Sequence, residues 1–378
     1  MPTRLLSIGT AVPSARLDQA ETRGFFVSQP GVDRLTARLI GTVFDHSAID
    51  GRYSVIGGAG AREPLFADAD DTLLTPSTGA RNALYRREAP ALFAAAARAA
   101  VSEAGVEAAD ITHVITASCT GCFAPGPDYL LVRELGIPPS AERTHIGFMG
   151  CAAAFPALRT AARACEAAEG AVVLVVCAEL CSIHIRSSSD PEQIVASAVF
   201  GDGAAAAVLT SGAPRAEAPL LEVGAFATGI TSEGEQDMDW TIGDQGFEMR
   251  LTAEVPRIIG REIAEAVGAM IGADAGALVD GWAVHPGGRS VLDRVESGLG
   301  LDRSALDHSR AVLRDHGNMS SATILFILRR FLHDDALADG SRVAGLCFGP
   351  GLTIETALFT RRAEGGGRRI APADAGAA

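Results

Sequence analysis

The sequence predicts a layered α/β fold built twice along one chain. Apolar runs of strand length alternate with longer amphipathic segments. A Phe-Gly-x-Gly turn running into an apolar segment occurs at Phe200-Gly201-Asp202-Gly203 and again at Cys347-Phe348-Gly349-Pro350-Gly351. Upstream of each turn, a strand–turn–helix pattern carries a chemically capable residue at the helix start: Cys151 in the first half, Asn318 in the second. These features recur in the same order, which points to gene duplication with one site shared between the halves.

In chain order, residues 4–12 read as a strand, followed by helical and irregular sequence to about residue 87. An alanine-rich amphipathic helix is expected over 88–104 and a buried strand over 111–116. A helix over 151–168, a strand over 172–177, and a turn entering a strand over 199–209 complete the first half. The second half offers a helix over 255–271, a short strand over 281–284, a helix over 318–332, and strands over 343–347 and 352–358. The division expected is 1–215 carrying the cysteine and 216–362 carrying His285 and Asn318. Residues 363–378, with Gly365-Gly366-Gly367 and an Ala/Asp-rich end, read as a disordered tail.

Hydrophobic residues make up 48% but aromatics only 5%, so the core must be packed largely by aliphatic side chains and alanine. A formal charge of −14 argues against an extended nucleic-acid surface, although a local arginine patch can still serve an anionic substrate. All 32 basic residues are arginine, which excludes Schiff-base catalysis, pyridoxal phosphate attachment and a P-loop lysine. No apolar run reaches the roughly 18 residues of a membrane span, and Met1-Pro2-Thr3-Arg4-Leu5-Leu6 lacks the apolar core of a secretion signal. The 7 cysteines, odd in number, read as reduced thiols of a cytoplasmic protein. Cys119-Thr120-Gly121-Cys122 has no second ligand pair, so no metal site is expected. Gly57-Gly58-Ala59-Gly60 reads as a loop.

Cys151 sits in a glycine-flanked apolar run at a helix start, where unpaired N–H groups and partial positive charge lower a thiol pKa. The alternative is a small buried core cysteine. His285 follows a strand and precedes Pro286-Gly287-Gly288, where α/β sheets place chemistry; a satisfied structural histidine is the alternative. Asn318 is either an N-cap or a neutral hydrogen-bond donor. Together the three make a coherent thioester machine. The thiolate takes an acyl group, an imidazolium stabilises that thiolate, and histidine and asparagine donate to an enolate oxygen formed by decarboxylation.

Met149-Gly150-Cys151, Phe200-Gly201-Asp202-Gly203-Ala204-Ala205-Ala206, His285-Pro286-Gly287-Gly288, Gly317-Asn318-Met319-Ser320-Ser321-Ala322 and Phe348-Gly349-Pro350-Gly351-Leu352 carry a family resemblance. From about residue 85 to 360 the chain resembles the type III polyketide synthases of the chalcone/stilbene synthase superfamily, in a bacterial-type form. The resemblance implies a thiolase-like fold, a duplicated five-layered αβαβα arrangement, and a homodimer. It implies free acyl-CoA and malonyl-CoA as substrates, no further cofactor and no acyl-carrier protein. Cys151 becomes the acyl carrier, with His285 and Asn318 as the decarboxylation and oxyanion pair. Phe200 matches a gatekeeping phenylalanine; the second gate falls on Met249, with Phe247 two residues upstream. By the same registers Cys119, Thr120, Cys181, His184, Ser320 and, more loosely, Trp240 line the substrate cavity.

The departures from the family are specific. Cys347 replaces a glycine, and Ala124 stands where plant members place a methionine that crosses the dimer interface. The basic CoA-contacting positions of plant members fall on Leu39, Thr42 and His46, leaving Arg34, Arg38 and Arg52 as possible substitutes. A ketoacyl synthase III performing one condensation, and a non-catalytic thiolase-fold partner protein, are the competing readings.

Overall fold

The computed structural model describes residues 2–58, 62–213, 218–271 and 279–363. Its strands are β1 (Arg4–Ala11), β2 (Arg16–Asp18), β3 (Gly51–Tyr53), β4 (His113–Ser118), β5 (Glu142–Gly147), β6 (Val172–Leu180) and β7 (Asp202–Thr210), then β8 (Leu220–Ile230), β9 (Met238–Gly243), β10 (Gly246–Leu251), β11 (Gly281–Val284), β12 (Arg342–Gly349) and β13 (Thr353–Arg362). The helices are α1 (Gln19–Val27), α2 (Arg34–Asp45), α3 (Thr78–Ala104), α4 (Pro127–Leu135), α5 (Ala154–Ala167), α6 (Pro191–Val199), α7 (Val255–Ile271), α8 (Arg289–Leu299), α9 (Asp307–His316) and α10 (Thr323–Leu332).

The main sheet runs β11-β12-β13-β8-β1-β7-β6-β4-β5. Its two halves repeat one pattern. In the first, β1 pairs antiparallel with β7, β7 antiparallel with β6, and β6 parallel with β4. In the second, β8 pairs antiparallel with β13, β13 antiparallel with β12, and β12 parallel with β11. The halves meet where Arg4 and Leu5 of β1 pair with Glu222 and Leu221 of β8. The duplication read from the turns is thus a duplication of topology.

Strands buried on both faces hold the layers together. Along β6, Val173, Val175 and Cys177 pack toward α5 and α10 in one core, while Leu174, Val176 and Ala178 pack toward α3 in another. Successive strand side chains point to opposite faces, so a continuous apolar run serves two cores at once. The second half does the same: Val343 and Cys347 of β12 join the α5/α10 core, and Ala344, Leu346 and Phe348 join a third core with α7 and α8. The order is therefore α3, the first half of the sheet, α5/α10, the second half of the sheet, α7/α8. Alanine lets these layers approach closely; Gly9 goes further, since a Cβ there would lie 2.3 Å from the Ala100 nitrogen of α3.

Several boundaries differ from expectation. The helix expected over 88–104 already begins at Thr78, where Ser77 caps it by accepting from the Ala80 N–H. The helices expected to open at Cys151 and Asn318 open at Ala154 and Thr323, each preceded by a 3₁₀ turn, Gly150–Ala152 and Ser320–Ala322. Strands β5 and β8, the β9–β10 hairpin and helices α4, α6, α8 and α9 add to the elements expected. Residues 364–378 of the expected tail, Ala59 and Gly60 of the expected loop, and the expected boundary at 215/216 lie outside the described residues. No described helix is long and apolar enough to cross a membrane.

Candidate active site

One 3₁₀ turn holds Cys151 ahead of α5, and Asn318 lies just before the other, ahead of α10. Gly150 takes φ +57°, and a Cβ there would meet Pro350 Cδ at 2.6 Å, so the glycine is required both for the turn and for the contact with the second Phe-Gly-x-Gly loop. This places Cys151 beside Asn318. The Cys151 sulfur lies 3.8 Å from both terminal atoms of the Asn318 amide. Asn318 is no helix cap. Its Oδ1 accepts from the Ser320 N–H at 2.8 Å, and its backbone bonds to Val199 and Gly201 on either side of Phe200. The Ser320 bond identifies the oxygen of the amide, and the NH₂ lies as close to the sulfur as that oxygen does.

His285 follows β11, its N–H donating to the Leu346 carbonyl at 2.8 Å. Its ring is fully buried, and neither nitrogen has a hydrogen-bond partner among the described residues. An orphaned buried imidazole is costly unless a ligand uses it. Burial pushes its pKa down to about 3. Burial also pushes the Cys151 thiol up to about 11, outweighing the hydrogen bonds from Ser320 and Asn318 that lower it. The thiol pKa was expected to be lowered by a helix end and an imidazolium. Burial disfavours the charged form of each group.

Cys151, His285 and Asn318 all line one cavity of about 610 Å³. Its remaining wall is mainly apolar, including Val195, Val199, Leu251, Val255, Ile259 and Phe348.

Residues 2–213 match the family of chalcone and stilbene synthases, N-terminal domain, and residues 223–362 match its C-terminal domain. This chain belongs to the chalcone and stilbene synthase family. It is 34% identical over 371 residues to bisdemethoxycurcumin synthase of Oryza sativa subsp. japonica, covering 94% of this chain and 91% of the relative. Among solved structures, PKS-I from the brown alga Ectocarpus siliculosus is similar at 29% identity and TM-score 0.85, over 95% of this chain and 98% of that one. The 1,3,6,8-tetrahydroxynaphthalene synthase of Streptomyces coelicolor A3(2), a bacterial type III polyketide synthase, is similar at 27% identity and TM-score 0.82, over 95% and 99%. The fold is thiolase-like, and the chain is a type III polyketide synthase, an acyltransferase.

Of the pocket positions expected in this polyketide synthase, Cys119, Thr120, Cys181, Phe200, Trp240, Met249 and Ser320 line the main cavity. His184 and Phe247 do not. They border a small adjoining compartment of about 30 Å³, together with Cys181, Phe200, Trp240 and Met249. His184 is neither a surface residue nor a free group. Its Nε2 pairs with the Thr120 carbonyl at 2.7 Å, its Nδ1 accepts from the Phe247 N–H at 3.0 Å, and its ring stacks on Phe247 at 4.4 Å. Burial and the nearby Arg81 and Arg186 hold its pKa down at about 3. Trp240 Nε1 donates to the Cys119 carbonyl at 2.8 Å. These bonds tie the β9–β10 hairpin to the loop after β4.

Arg52 is not available to a substrate. It is buried, and its Nη1 donates to the Ser197 and Phe200 carbonyls, each at 2.7 Å. It anchors the segment that carries Phe200.

Glu179, outside every expected site position, joins these segments. This fully buried carboxylate accepts from Cys119 N at 3.0 Å, Thr120 Oγ1 at 2.8 Å and Ser321 Oγ at 2.5 Å. Burial raises its pKa despite those donors. The signal was a lone acid in the apolar run Val175-Val176-Cys177-Ala178-Glu179-Leu180, where a carboxylate persists only if it is hydrogen-bonded.

Proposed function

We propose that the enzyme transfers an acyl group from an acyl-CoA starter to Cys151, releasing CoA thiol, and extends it by decarboxylative Claisen condensation with malonyl-CoA. The observation that carries this is the meeting of Cys151, His285 and Asn318, from three separate segments, in one apolar cavity. The Cys151 proton passes to His285 as the sulfur attacks the thioester. Malonyl-CoA then loses carbon dioxide. The Asn318 amide and the His285 N–H donate to the enolate oxygen, and the enolate carbon attacks the acyl–Cys151 bond, freeing the sulfur. A carboxylate in place of Asn318 would repel that enolate. The extended chain, now a CoA thioester, returns to Cys151 with release of CoA thiol for each further round, and ring closure gives a pyrone, resorcinol or phloroglucinol-type product.

In this reading CoA thioesters are substrates, no other cofactor takes part, and no acyl-carrier protein is needed. Phe200 and Met249 flank the passage to the cavity, and Cys119, Thr120, Cys181, Trp240 and Ser320 shape the bound chain. His184 and Phe247 set the position of that wall from behind. Residues 1–215 and 216–362 form the two halves that share the site. The working unit is a homodimer in the cytoplasm, where reduced thiols and CoA esters coexist. Purified protein given an acyl-CoA and labelled malonyl-CoA, without carrier protein, should yield cyclised polyketides. Absence of condensation across a starter panel would overturn the reading, and a single condensation in every case would favour a ketoacyl synthase.

A further inference from the structure

A groove of about 380 Å³ lies between α7 and α8. Gly260 and Gly298 form its floor, where the helices touch: a Cβ on Gly298 would sit 2.9 Å from the Gly260 carbonyl oxygen. Arg257, Arg261 and Arg294 wall it, with Ser297. Both helices also reach the Cys151 cavity, to which they contribute Pro256, Arg289, Ser290 and Asp293. Arg289 and Asp293 are 49% and 43% exposed, which marks this stretch as the cavity mouth. Gly260 follows Pro256, and Arg294 follows Ser290, by one helical turn, about 5.4 Å. The groove therefore starts where the mouth ends.

The arginines are available to an anion. Arg257 pairs with Glu254 and Arg261 with Glu233, but all four side chains are about half exposed or more. Such exposed pairs are weak, and a phosphate can displace the carboxylates. Arg294 is exposed, and its guanidinium contacts no acid among the described residues. The end of α2 contributes Val43, His46 and Ser47 to the cavity lining but no arginine.

We infer that this groove holds the phosphates of the incoming CoA thioester, with the diphosphate at Arg289 and the 3′-phosphate among Arg257, Arg261 and Arg294. The inference rests on the CoA-dependent reading above. Guanidinium groups bind phosphate bidentately, and a side-chain-free floor leaves room for the nucleotide along the helix seam.

The test compares malonyl-CoA with malonyl-pantetheine thioester, which lacks the nucleotide. The triple variant R257A/R261A/R294A should raise KM for malonyl-CoA by roughly tenfold or more and weaken its dependence on salt. The KM and kcat for the pantetheine thioester should not change. Calorimetric binding of adenosine 3′,5′-bisphosphate to the unmodified protein, weakened to a similar degree in the variant, tests the groove independently of turnover. An unchanged malonyl-CoA KM, an equal loss with both thioesters, or a loss that falls instead on R34A/R38A would each overturn the inference. Unmodified protein that binds the bisphosphate through these arginines, yet condenses neither thioester, would count against the enzymatic reading alone.

Discussion

The side-chain amide of Asn318 faces the Cys151 sulfur at 3.8 Å, and the Ser320 N–H fixes which way it points. Cys151 lies in the 3₁₀ turn before α5, Asn318 lies two residues ahead of the matching turn before α10, and both helices pack in the same core. One half supplies the Cys151 thiol, the other the neutral Asn318 amide. That difference makes the shared site asymmetric and chemically useful.

Replacing Asn318 should separate the two half-reactions. Asn318→Ala leaves the thiol in place, so acyl loading persists, while condensation falls by about 10²–10³-fold, as for loss of one oxyanion donor. Asn318→Asp should be at least as damaging, because it adds a charge facing the enolate. Single-turnover loading and steady-state product formation, measured side by side, check this. Equal losses in both steps would contradict the assigned role.

The thiol should behave as a buried one until substrate arrives. With its pKa pushed up to about 11, the rate of Cys151 alkylation by iodoacetamide should climb continuously from pH 7 to 10. A rate already at its plateau below pH 7 would show a preformed thiolate–imidazolium pair instead.

Arg52 should matter for stability and for the position of Phe200. Its removal strands two buried carbonyls and leaves Asp202 without its nearby cation. Arg52→Ala is expected to cost about 3 kcal/mol or more, read as a lowered midpoint in urea. Arg52→Lys should restore only part of it, because one ammonium does not reproduce the planar donor geometry.

Acid should destabilise the fold through its buried neutral imidazoles. His184 and His285 have folded pKa values lowered from 6.5 to about 3, so the unfolded chain binds these protons more readily. The stability they contribute is complete above about pH 6.5 and is lost as pH falls toward about 3. His184→Gln, which retains neutral hydrogen-bonding groups, should flatten that decline by up to about one proton. Urea midpoints collected across this range provide the comparison.

The parts of this molecule legible in its sequence are those where burial writes a pattern. Strands β6 and β7 lie between two cores and so read as continuous apolar runs. Cys151, His285 and Asn318 are flanked by glycines or turns because their backbones must bend there. The β9–β10 hairpin left no such trace, since most of its residues are only partly buried. His184 and Phe247 were expected on the cavity wall, but a register counts positions and does not reveal which ring stands in front. Trp240 and Met249 reach the cavity, whereas His184 is drawn back by bonds to Thr120 and Phe247. Glu179 was visible as a misfit in an apolar strand, but its donors come from segments far apart in the chain. The thiol pKa failed for a similar reason: a helix end is local and legible, while desolvation belongs to the assembled cavity.

The central claim is that Cys151 carries the growing chain. Intact-protein mass spectrometry after brief mixing with an acyl-CoA, followed by peptide mapping, tests it directly. The account predicts one acyl adduct on the peptide containing Cys151, discharged when malonyl-CoA is added, and no adduct or product with Cys151→Ala. An adduct on another cysteine that is discharged in the same way, or full product formation by Cys151→Ala, would contradict it.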